Sequence, residues 1–185
     1  MRRSQCQPWC AQPTAQGGGR HRAPDLPGFG QTPVLEGDGG LGAFADWLDD
    51  VVGEVVGEEP FAVLGNSIAG VLVRELVVRR PDQVSGLALL APVVDPDALR
   101  RLQDDYALPG PLPEERSGTY EGPTLIVTGR QDNKVGYRDQ LALAEHFPRL
   151  TLAMLDRAGH NVHLDQEGAV RGMVQNWAQD AARGR

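Results

Sequence analysis

Residues 61–70 read Phe61-Ala62-Val63-Leu64-Gly65-Asn66-Ser67-Ile68-Ala69-Gly70. A short apolar run of strand length, 61–65, meets the polar pair Asn66-Ser67, and a helical stretch, Ile68 to Arg80, begins at once. Pro81 ends that helix. A strand that passes into a helix with almost no loop must turn sharply at Ser67. Glycine and alanine on either side permit the close approach that such a turn needs. Taken alone, the decapeptide also fits a plain N-capping serine opening a helix.

The pattern repeats on both sides. Val84 to Leu90 is a second apolar strand, closing at Ala91-Pro92, and Thr124-Leu125-Ile126-Val127-Thr128 is a third, bounded by Pro123 and Gly129. Leu150 to Leu155 reads as a fourth. Upstream, Leu41, Phe44, Leu48, Val51, Val52 and Val55 recur at three- and four-residue spacing, which predicts an amphipathic helix stopping at Gly57 before Pro60. Further helices are predicted over 97–105, 140–147 and 164–182. Ala23-Pro24-Asp25-Leu26-Pro27-Gly28-Phe29-Gly30 reads as the end of a short strand entering a Pro/Gly turn. Strands that alternate with helices, most of them unbroken apolar runs, predict an α/β fold with a parallel sheet covered on both faces. No internal repeat is present.

Composition narrows the class. A chain of 185 residues with 41% apolar and 23% charged residues suits one packed domain. A net charge of −7 has the wrong sign for a general nucleic-acid binder. No apolar run approaches the roughly 18–20 residues of a membrane span. The first ten residues carry charges with no apolar stretch behind them, so no secretory signal is expected there. Cys6 and Cys10, the two cysteines of the chain, are not expected to build a disulfide framework or a four-ligand zinc site. These features lead to the expectation of a cytoplasmic protein that binds neither nucleic acid nor membrane. Residues 1–19, rich in Gln, Pro and Gly, are expected to form a poorly ordered arm ahead of a core over 20–185.

Reactive groups in parallel sheets gather at the carboxyl ends of the strands. Ser67, Asp132 and His160 each follow a predicted strand, in that chain order. A serine hydroxyl is a weak nucleophile until a base takes its proton; imidazole does so near neutral pH, and a carboxylate fixes its tautomer. Asp132 is also readable as a turn aspartate, and Asp95 is a rival acid. His163 makes an H-x-x-H pair with His160, but no third metal ligand is apparent. Gly37, Gly39 and Gly42 spell a dinucleotide-loop pattern without an adequate strand before it.

With these motifs in order, the chain resembles the α/β-hydrolase superfamily, in the branch of small-molecule ester, lactone, epoxide and carbon–carbon bond hydrolases. The resemblance rests on residues 23–30, the Gly65-Asn66-Ser67-Ile68-Ala69-Gly70 elbow, the run from Pro123 to Asp132, and Ala158-Gly159-His160, and it covers residues 20 to 182. It implies Ser67 as nucleophile, His160 as base, Asp132 as acid and the Ile68 N–H as one oxyanion donor, with Asn66 as the substrate-binding position. The reaction implied is hydrolysis of a small carboxylic ester or lactone, with no metal or organic cofactor. A carbon–carbon bond hydrolase is the near alternative, and a weak or inactive remnant acting as a binding module is the alternative from another class.

Three departures accompany the resemblance. Ala69 stands where the elbow usually has its second glycine. By the resemblance, the family's first three strands, and with them the loop that gives the second oxyanion N–H, are expected to be absent or unrecognisable. The helical lid is reduced to residues 93–122. In the family's strand order the third strand lies between the fourth and fifth. The expectation is therefore a gap beside the 61–66 strand, filled by the Arg20–Pro24 segment, by the arm, or by a second copy in a homodimer.

Overall fold

The two most apolar runs become the centre of a sheet. In the computed structural model, which describes residues 20–37, 40–106 and 120–183, four strands form: β1 (Phe61–Asn66), β2 (Val84–Leu90), β3 (Thr124–Gly129) and β4 (Leu150–Leu155). All pairings are parallel, in the order β1-β2-β3-β4. β3 is buried along its whole length, and β2 nearly so. β1 and β4, at the edges, are half-exposed. Central parallel strands need apolar side chains on both faces, which is why these runs lack polar alternation.

Helices cover both faces. α1 (Gly40–Val55) and α2 (Ala69–Arg79) lie on one side, where Val73 and Val77 of α2 join Leu87 and Leu89 of β2 and Ile126 of β3. α3 (Pro96–Tyr106) adds Ala98 and Leu99 to the α1–α2 cluster. α4 (Arg138–Ala142) continues into a 3₁₀ turn at 143–146, which adds Leu143 to the β2–β3 cluster. On the other face Ala88, Leu90, Leu125 and Val127 meet α5 (Val162–Asp165) and α6 (Glu167–Ala182) through Val162, Val170 and Trp177. Alternate residues of β2 and β3 thus serve opposite layers, as the two-residue period of a strand requires. Gly86 lets α6 sit close, since a Cβ there would lie 2.5 Å from that of Ala181.

Four expectations change. Residues 20–26 form no strand, and none precedes β1 among the described residues. Arg20 to Pro24 are all exposed, and Pro24 lacks a ladder donor, so the segment gains neither burial nor full pairing. It therefore adds no strand to the sheet at β1. The helix expected over 140–147 is a short α-helix followed by a 3₁₀ turn, and the closing helix is interrupted at Gln166. Val55, counted in the apolar stripe of α1, is 49% exposed in the last turn of that helix. The arm at 1–19, and residues 107–119 of the 93–122 segment, lie outside the described residues.

Candidate active site

The turn at the end of β1 is tight enough to hold Ser67 at φ 54°, in the left-handed region that side chains avoid. Its N–H donates to the Leu90 carbonyl at 2.9 Å and its own carbonyl accepts from Gly70 at 3.0 Å, so the strained residue is bound on both sides. Gly65 makes the turn possible: a Cβ there would stand 2.7 Å from the Ala69 carbonyl oxygen and 2.7 Å from Val73. A Cβ on Gly70 would meet Pro92 at 3.0 Å. The elbow thus keeps a glycine at two close approaches, one before the serine and one just after Ala69. Asn66 donates its side-chain amide to the Leu90 carbonyl at 2.9 Å, which spends that donor on joining β1 to β2.

Asp132 follows β3. Its side chain is fully buried, and Oδ1 accepts from the backbone N–H groups of Lys134 at 2.9 Å and Val135 at 3.2 Å. Burial pushes this carboxyl up. The bond from His160, the two backbone donors and the charge of His160 together outweigh burial and hold it below its usual range. It is thus an ionised acceptor.

His160 sits in the loop between β4 and α5. Its Nδ1 lies 3.0 Å from Asp132 Oδ2, and its Nε2 lies 2.8 Å from Ser67 Oγ. Because an ionised carboxylate only accepts, Nδ1–H donates to Asp132, Nε2 is the acceptor, and the Ser67 hydroxyl donates to it. Residues 65 and 28 positions apart along the chain therefore form one hydrogen-bonded line across three strand ends.

Asp95 has another use. Its carboxylate accepts from the N–H groups of Asp97 and Ala98 at the start of α3, an N-cap. No group of three or more metal-ligating side chains exists among the described residues, so His160 and His163 gain no third ligand there. Ile68 is helical at the N-cap of α2. Sequence reasoning misses Gln131, which ties the loop of Asp132 to that of His160. Only its place beside Asp132 points there.

A strained serine between a parallel strand and a helix, hydrogen-bonded to a histidine and through it to a buried aspartate, defines the hydrolase class of α/β folds. A family model described as alpha/beta hydrolase fold matches residues 8–112. The chain belongs to the α/β-hydrolase fold family. A lipase, LipV, of Mycobacterium tuberculosis H37Rv is 38% identical over 81 residues, which span 42% of this chain and 29% of that protein. Among solved structures, an alpha/beta superfamily hydrolase from Oenococcus oeni PSU-1 superposes with a TM-score of 0.73 at 22% identity, over 85% of this chain and 80% of that one. A thermophilic esterase from Thermogutta terrifontis gives 0.69 at 19% identity, over 85% and 79%. The 2-hydroxy-6-oxo-6-phenylhexa-2,4-dienoate hydrolase of Rhodococcus sp. strain RHA1 gives 0.69 at 22%, over 84% and 78%. These structural likenesses speak for the fold. No helix among the described residues is long and apolar enough to cross a membrane.

Proposed function

We propose that this chain is a serine hydrolase that cleaves a small carboxylic ester or lactone through an acyl-enzyme on Ser67. The observation that carries the reading is the unbroken hydrogen-bonded line from Ser67 Oγ through His160 to the buried Asp132 carboxylate, with links of 2.8 and 3.0 Å. In this reading Ser67 Oγ attacks the carbonyl carbon while its proton passes to His160 Nε2. Asp132, ionised and buried, holds the Nδ1–H and stabilises the imidazolium that forms. The oxyanion faces the Ile68 N–H at the open start of α2, where unpaired donors and the helix dipole favour negative charge. His160 then protonates the leaving oxygen, and a water activated by the same imidazole releases the acid.

Among the described residues no strand precedes β1. The test is labelling with a fluorophosphonate probe together with hydrolysis of short p-nitrophenyl esters. Wild type is expected to label and turn over, and Ser67→Ala to do neither. Equal turnover in the two proteins would sink the reading.

A further inference from the structure

The β3–β4 ladder closes at Gly129 and Leu155, and the next residue, Arg130, still donates its N–H to the Leu155 carbonyl at 2.9 Å. Beyond this point the two strands give way to separate loops, one leading to Asp132 and the other to His160. Gln131 bridges them. Its backbone N–H donates to the Ala158 carbonyl at 2.9 Å, and its side-chain Oε1 accepts from the Ala158 N–H at 3.1 Å. Both main-chain groups of Ala158, a buried residue two positions before His160, are thereby taken by one residue. The other end of the amide, Nε2, donates to Asp156 Oδ1 at 2.9 Å. This bond is the first cause that holds the exposed Asp156 carboxyl below its usual range.

The bridged loop needs such a hold. It contains Arg157 at φ 55°, a strained position for a residue with a Cβ. It also presses on Gly129, where a Cβ would fall 2.2 Å from the Gly159 carbonyl oxygen. On its far side the Gly159 N–H donates to Asp165 at 2.8 Å. The His160–Asp132 bond is the product of how these two loops are set against one another. Resting on the hydrolase reading above, we propose that Gln131 is a positioning residue of the site. Its side-chain amide splints the loop of His160 to the loop of Asp132 and sets the alignment of the His160–Asp132 bond.

The experiment compares Gln131→Met, Gln131→Glu and the pair Gln131→Glu/Asp156→Asn. Methionine keeps the length and removes both side-chain bonds. Its kcat toward a p-nitrophenyl ester is expected to fall about tenfold to a hundredfold, with KM nearly unchanged, because misalignment rather than binding is affected. Glutamate still accepts from the Ala158 N–H but faces the Asp156 carboxylate, so the loss is smaller. In the pair, the amide introduced at position 156 donates to the carboxylate introduced at position 131. The bond is restored with its direction reversed, and kcat is expected to return to within about threefold of wild type. A second readout needs no turnover: the far-downfield proton NMR signal of His160 Nδ1–H, assigned by its loss in His160→Ala, is expected to broaden in Gln131→Met and sharpen again in the pair.

If Gln131→Met only lowers the melting temperature, leaving kcat and the signal as in wild type, the proposal is overturned. It is equally overturned if the pair recovers neither. Turnover that survives Ser67→Ala would instead overturn the hydrolase reading, and the NMR comparison would still decide the role of Gln131.

Discussion

The serine and its two partners are held in place by different means. Ser67 is fixed by sterics: a left-handed backbone, a glycine on each side of the turn, and α2 starting directly after it. Asp132 and His160 sit on loops fixed by hydrogen bonds, with the carboxylate taking two backbone N–H groups and the histidine loop tied through Ala158 and Gly159. A steric turn is insensitive to pH, because no proton enters it. A hydrogen-bonded loop depends on the protonation of its acceptors. Ser67 should therefore respond to packing changes, and His160 and Asp132 to pH and to isosteric loss of a charge.

Of the substitutions that test this contrast, Asp132→Asn should have the largest effect. The amide keeps the volume but removes the ionised acceptor, so His160 loses the partner that fixes Nδ1–H. By analogy with protease triads, kcat is expected to fall roughly 10⁴-fold while the fold persists. Steady-state kinetics with circular dichroism on the same samples checks both halves. The same substitution should also change stability in acid. The Asp132 pKa is below its ordinary 3.8 in the folded chain, so it contributes stability that is present above that value. The contribution is lost as pH falls through the lower folded value. Wild type should lose stability over this acid window more steeply than Asp132→Asn.

Packing at the elbow comes next. A methyl on Gly65 would meet the Ala69 carbonyl and Val73 at 2.7 Å, and the backbone of α2 would have to move. Gly65→Ala is expected to cost about 2 kcal/mol, a drop of about 4–8 °C in melting temperature, and to lower activity with it. Gly172→Ala supplies the contrast. This glycine lies within α6, where an added methyl would have nothing within 4 Å, so alanine should stabilise the chain by about 0.5–1 kcal/mol. A melting curve in which both substitutions behave alike would break the steric account of the elbow.

The same difference explains what can be read from the sequence. β2 and β4 have the bounds that their apolar runs indicate, and Gly65 to Gly70 announce the elbow because steric demands appear as residue types. Ser67, Asp132 and His160 are visible as groups following strands. The tether through Gln131 is not, since a glutamine in a loop carries no periodicity and its partners are a carboxylate and a backbone group 25 and 27 residues away. The strand expected at 20–24 does not form, for a related reason. Its reading comes from a turn motif downstream, while the segment itself has no apolar pair to bury and carries Pro24. The break at Gln166 also leaves no mark in the apolar spacing of 164–182.

The smallest effect concerns His163, on α5 beside the histidine loop. It is 8% exposed, and burial pushes its imidazole below the ordinary value of 6.5; Asp165 draws it upward, and the charge of His160 lowers it further. An unfolded chain takes up a proton at this residue as pH falls past about 6.5, whereas the folded chain resists until lower pH. Stability present above that value is therefore lost as pH descends through the window just below it. This window opens at a higher pH than the one set by Asp132, because the ordinary values are 6.5 and 3.8. His163→Gln removes the titration and should flatten the upper window while leaving the lower one in place. Denaturant unfolding at closely spaced pH values measures both slopes. An unchanged upper slope in His163→Gln would mean that some other group titrates there, and the contrast between a pH-independent elbow and pH-dependent loops would then rest on Asp132 alone.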